Sequence, residues 1–176
     1  MEKKPITNLN AAIVIFLLLV VFTLIINLGG FQGNPKLSWI SYIIIIGGLM
    51  VFVNKYGKDM DNQVSFGNLF AFGFKTIAIV IIFFIAFSIL FYLLLPEYKL
   101  QMQDIARQSA LQKATSDNRE QIEKGMEIFT RFFWAFLIGG ILISFAILGA
   151  IGSLLGAAIT KKQPTGFGGS INQISQ

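Results

Sequence analysis

A chain of 176 residues that is 55% hydrophobic and only 13% charged carries about half the charge of an ordinary soluble domain. It contains neither cysteine nor histidine, which excludes disulfides, thiolate metal sites, thiol nucleophiles and the commonest general base. The net charge of +5 is spread over short flanks and one mixed-charge loop, with no basic stripe of the kind nucleic acid requires.

Four apolar runs dominate the chain, at 11–28, 37–53, 69–95 and 132–159. At about 1.5 Å of rise per helical residue, each covers most or all of a hydrocarbon core about 30 Å thick. The pattern predicts an all-α fold, a four-helix transmembrane bundle embedded in a lipid bilayer. Residues 1–10 form an N-terminal flank, 11–162 the membrane domain, and 163–176 a tail of linker composition expected to be disordered.

In chain order, Thr7, Asn8 and Asn10 precede the first run, where hydroxyl and amide side chains can accept from free helix N–H groups. That run is longer than a signal-peptide core and ends in Asn27-Leu28-Gly29-Gly30 without a clear cleavage site, so it reads as a retained span. The turn formers of 29–35 end in an Asn34-Pro35 step that starts a new segment, making the first two spans antiparallel neighbours. The second span opens with Trp39 and Tyr42, ring types that favour the membrane boundary. Gly47-Gly48 within it is a packing notch or a weak point. A polar connection at 54–63 follows, with Gly57 placed as a left-handed helix cap.

Ser65 is positioned to cap the third span, and Pro96 marks its end or the first turn of the next helix. Residues 96–131 read as helix, break, helix: an extramembrane hairpin between spans three and four. Tyr98, Met102, Ile105 and Ser109 form a row in its first half, and Ile122, Met126, Phe129 and Phe133 in its second. Asp117 and Glu120 have capping-box spacing, Glu120 and Lys124 that of a helical ion pair. The second half is expected to run unbroken into the fourth span, as a stalk.

Charges near span ends bear on sidedness. With both termini cytoplasmic, the inner set is Lys3, Lys4, Lys55, Lys58, Lys75, Lys161 and Lys162, and the outer set is Lys36, Lys99, Arg107, Lys113, Arg119, Lys124 and Arg131. The outer charges are diluted along a long loop, so weighting by proximity favours cytoplasmic termini and an external hairpin.

Lys75 is the ionisable residue well inside an apolar run, and a charge at that depth is a candidate functional group. Two partners are available from the preceding connection, Asp59 and Asp61, but a stem two turns from the helix start also allows the ammonium to snorkel to the headgroups. Asn27 is a second intramembrane polar candidate. Gly140, Ser144, Gly149, Gly152 and Gly156 line the last span with small residues, including a G-x-x-x-G element that lets helix backbones approach. The neighbour is a helix of the same chain or a second copy. Lys55, Lys58, Asp59 and Asp61 read as a solvated turn rather than an ion or phosphate site. No catalytic, cofactor-binding or metal-ligating set is visible, and neither a cofactor nor enzymatic activity is expected.

The segments Gln63–Phe74, Leu95-Pro96-Glu97-Tyr98 and Gly149–Lys162 resemble a family of small bacterial membrane proteins catalogued as a domain of unknown function, family 4199. The resemblance extends from the first span to Lys162. It implies four spans in a bacterial inner membrane, commonly in Bacteroidota, and brings no activity, cofactor or site residue with it. The leading expectation is a non-enzymatic structural or interaction protein whose hairpin or last span meets a homo-oligomeric copy or another membrane protein. The alternative is a small transporter or channel component, drawing on Thr23, Asn27, Lys75, Thr76 and Ser88.

Overall fold

Thr7 starts the first helix: its Oγ1 accepts from the Asn10 N–H at 3.2 Å, and the apolar run carries α1 over Asn8–Leu28. The computed structural model describes residues 5–115 and 118–160. The expected tail at 163–176, the flanking Lys3, Lys4, Lys161 and Lys162, and Asp117 lie outside the described residues. Beyond α1, Gly30 and Gly33 take positive φ (70° and 77°) to reverse the chain. Asn34 then caps α2 (Pro35–Asp59) by accepting from the Lys36 N–H at 3.0 Å, with proline in the first turn, where its missing N–H costs nothing.

α2 is longer than its apolar run. The polar connection expected from Asn54 is helical as far as Asp59, and Gly57 is not the left-handed cap but a buried residue inside the helix. Left-handed backbone falls instead on Asp61 (φ 53°) and Asn62 (φ 57°). The reason is tertiary: Val53 is fully buried on the inner side of this last stretch, Tyr56 stacks on Phe72 of the next helix at 4.2 Å, and Gly57 packs on Leu69 and Thr160. Burial of that face extends the helix past the point where hydropathy falls.

Ser65 caps α3 (Phe66–Leu94), accepting from the Asn68 N–H at 3.3 Å. Pro96 opens α4 (Pro96–Leu111), and α5 (Arg119–Arg131) completes the hairpin. Asn118 precedes α5 without capping it; its side chain accepts from the Thr115 N–H at 2.7 Å. The last helix, α6 (Phe133–Ile159), is not a continuation of α5 as the apolar stripe implied. Phe132, at φ −106° and ψ 28°, leaves the helical region and bends the chain there.

Three contacts set the topology. Ile6 N–H donates to Asp59 Oδ2 at 3.1 Å, which places the start of α1 beside the end of α2. Asn8 Nδ2 donates to the Phe72 carbonyl at 2.7 Å, so α1 and α3 run parallel. Gly156 of α6 abuts Met50 and Val53, so α6 runs parallel to α2 and antiparallel to α3. The start of α1, the α2–α3 turn and the end of α6 therefore share one end of the bundle, and the hairpin occupies the other. α2 and α3 touch directly, with α1 and α6 each packed against both. Ile15, Leu19, Ile45, Leu49, Ile77 and Val80 form the core.

Among the described residues, four helices are long and apolar enough to cross a membrane. Their outward faces are apolar too: Leu17, Val21 and Ile25 on α1, Ile43 on α2, Ile82 and Leu90 on α3, Ile143 and Ile147 on α6 are exposed. Such a surface is stable against acyl chains and not against water. The chain is a membrane protein.

Candidate functional site

The small residues of α6 separate into two groups. Gly149, Gly152 and Gly156 are buried and face the chain's own α2 and α3. A Cβ on Gly149 would meet Ile77 Cγ2 at 2.5 Å, and one on Gly152 would meet the Ile46 Cα at 3.1 Å. Ser153, between them, is buried against Gly73, and its hydroxyl donates to the Gly149 carbonyl at 2.6 Å. Gly140 and Ser144 are exposed, and a Cβ on Gly140 would meet nothing within 4 Å. The G-x-x-x-G element is thus engaged within the chain, while Gly140 and Ser144 are turned outward.

Lys75 is exposed on the outer side of α3 and has no ion-pair partner among the described residues. Asp59 is held elsewhere, by Lys55 Nζ at 3.7 Å and by the Ile6 N–H. The buried neighbour is Thr76, whose Oγ1 donates to the Phe72 carbonyl at 2.9 Å and accepts from Asn8 Nδ2 at 3.1 Å. Asn8, read from sequence as a capping residue, instead ties α1 to α3. Nothing local marks that role, because its partners lie on another helix.

Asn27 sits at the opposite end, where its Nδ2 donates to the Thr23 carbonyl at 2.8 Å and its own carbonyls accept from Gln32 Nε2. It borders a cavity of about 310 Å³ closed by Tyr92, Met102 and Ile105, so α4 folds over the α1–α2 turn. The root of the hairpin is aromatic. Phe133, 2% exposed, packs edge-on to Tyr92 and Phe129, and Lys99 Nζ lies 5.3 Å over its ring. Further out, α5 buries no residue and leaves Ile128 half exposed beside a charged face, and Phe132 at the bend that follows is half exposed as well. The Glu120–Lys124 pair forms at 2.7 Å on that exposed surface.

The family model described as a protein of unknown function (DUF4199) matches residues 10–162. The chain belongs to that family. The match takes in all four membrane-capable helices and the hairpin, and it carries no activity. No curated protein and no solved structure matches the chain.

Within this DUF4199 fold, no group of three or more carboxylates or other ligand residues converges to hold a metal among the described residues. The buried hydroxyls of Thr76, Ser88, Ser153 and Thr160 each donate to the carbonyl four residues earlier in the chain. No described buried side-chain polar atom lacks a partner. Such closed hydroxyls stabilise the spans but present no free donor to a passing solute. The more open polar feature is a groove beside α2 of about 900 Å³, where Asn54, Lys55, Lys58 and Asp61 meet Met50 and Ile159.

Proposed function

We propose that the chain is a non-enzymatic interaction protein of a bacterial inner membrane, multi-pass, with both termini cytoplasmic and the α4–α5 hairpin external. The observation that carries this reading is α5, an amphipathic helix that buries no residue and holds Ile128 53% exposed, followed at the bend into α6 by Phe132, 52% exposed. A hairpin with its root locked by Phe133 and its outer helix unburied is a platform for a partner, either a second copy or another membrane protein. The self-satisfied hydroxyls and the outward Lys75 favour this reading over transport. Lys55 and Lys58 at the opposite end support its assignment to the cytoplasmic side.

Photo-crosslinking in native membranes tests the proposal. A photoreactive residue at Ile128 is expected to yield a discrete protein adduct that one at the lipid-facing Leu17 does not. Only lipid adducts from both positions would overturn it.

A further inference from the structure

One face of α2 lies open beside α6 along most of its length. Trp39, Ile43, Gly47, Met50, Asn54 and Lys58 recur on it at steps of three and four residues. Two hollows on this face meet at Gly47 and Met50. The first, about 420 Å³, is apolar and runs between Ile43 and Ile46 of α2 and Leu148 of α6. The second, about 900 Å³, continues past Val51 and Ile159 and ends among Asn54, Lys55, Lys58 and Asp61. Gly47 lines both hollows, and a Cβ there would meet nothing within 4 Å, so the space beside it is open.

Length and charge together specify the occupant. From Gly47 to Lys58 the helix rises about 16 Å, close to half of a hydrocarbon core about 30 Å thick. The groove is therefore one leaflet deep, apolar along its floor and charged at its mouth. Both signs of charge are present there. Asp59 is already engaged by Lys55 and by the Ile6 N–H. Lys58 and Asp61 have no ion-pair partner among the described residues. The turn that joins them is fixed by Asp61 N–H donating to the Lys58 carbonyl at 3.1 Å and Asn62 N–H to the Gly57 carbonyl at 2.8 Å. A free ammonium beside a free carboxylate complements a headgroup that is itself a phosphate linked to an amine.

We propose that this groove holds one zwitterionic aminophospholipid: its phosphate at Lys58, its ammonium at Asp61, and an acyl chain along Met50 and Gly47. The site is independent of any partner of the hairpin.

Native mass spectrometry of the full chain tests it, after equilibration in detergent with equal amounts of phosphatidylethanolamine and phosphatidylglycerol. The expected result is a single retained phosphatidylethanolamine. Gly47→Leu puts a side chain into the groove at a position where a Cβ meets nothing within 4 Å and favours helix, so it is expected to fold, as monodisperse elution would confirm, and to lose the lipid. Lys58→Ala is expected to lower retention about tenfold, as loss of a charge-assisted contact does. Asp61→Asn keeps a residue that tolerates the left-handed turn and is expected to abolish the preference between the two lipids. Equal retention by Gly47→Leu, an unchanged preference in Asp61→Asn, preferential phosphatidylglycerol in the parent chain, or a lipid-free dimer would each overturn the proposal.

Discussion

Gly156 of α6 lies so close to Met50 of α2 that a Cβ on the glycine would stand 3.1 Å from the Met50 Cα. One turn earlier Gly152 bears the same relation to the Ile46 Cα. Both limits are set by backbone, which cannot swing aside, so the two glycines fix the separation of α2 and α6. Gly152→Leu is expected to destabilise the bundle by about 2 kcal/mol or more. Gly140→Leu, in open space, is expected to change stability by less than about 0.5 kcal/mol. Thermal unfolding in detergent distinguishes them, and equal losses would contradict the packing described.

The amide of Asn8 bridges α1 to α3 through the Phe72 carbonyl and Thr76 Oγ1. Asn8→Ala removes both bonds and is expected to cost about 1–2 kcal/mol. Thr76→Val removes the weaker of the two and the hydroxyl's own bond to the Phe72 carbonyl within α3, but leaves Asn8 Nδ2 donating to that carbonyl at 2.7 Å, so α1 stays tied to α3 and the effect is expected to be smaller. Chemical unfolding in mixed micelles reads the order of the two losses.

Phe133 is the pin of the hairpin, shared by Tyr92, Phe129, Trp134 and the ammonium of Lys99. Phe133→Ala is expected to cost about 3 kcal/mol and to loosen α4 and α5 together. Faster tryptic cleavage at Arg107 and Arg119, with the spans still protected, is the expected result.

Lys75→Leu exchanges an outward ammonium for an apolar side chain on a lipid-facing surface, with no ion pair lost among the described residues. Stability is expected to change by less than about 0.5 kcal/mol, and membrane abundance to be unaltered. A steep drop in abundance would show that the ammonium is engaged.

What could be read from sequence depended on whether the cause was local. Apolar runs reveal α1, α3 and α6 because lipid immersion acts on every residue in the run, and Ser65 and the Asn34-Pro35 step mark helix starts through bonds to their immediate neighbours. Gly57 was misleading because its need for a missing side chain comes from Thr160 at the far end of the membrane domain. Gly47 and Gly48 look alike in sequence, yet a Cβ on Gly48 would meet Ile15 Cγ1 of α1 at 2.9 Å while one on Gly47 would meet nothing within 4 Å. The break at Phe132 interrupts an unbroken apolar stripe, so periodicity alone could not place it. Asn8 and Asp59 owe their roles to partners on other elements, and the groove to the approach of α6.

The arrangement of the four helices across a bilayer is tested most directly by cysteine accessibility, in a chain with no cysteine of its own. Gln63→Cys marks the α2–α3 turn and Gln112→Cys the tip of α4, at opposite ends of the bundle. In right-side-out spheroplasts a membrane-impermeant maleimide is expected to label Gln112→Cys directly and Gln63→Cys only after lysis. Labelling of both positions from the same side would contradict the account.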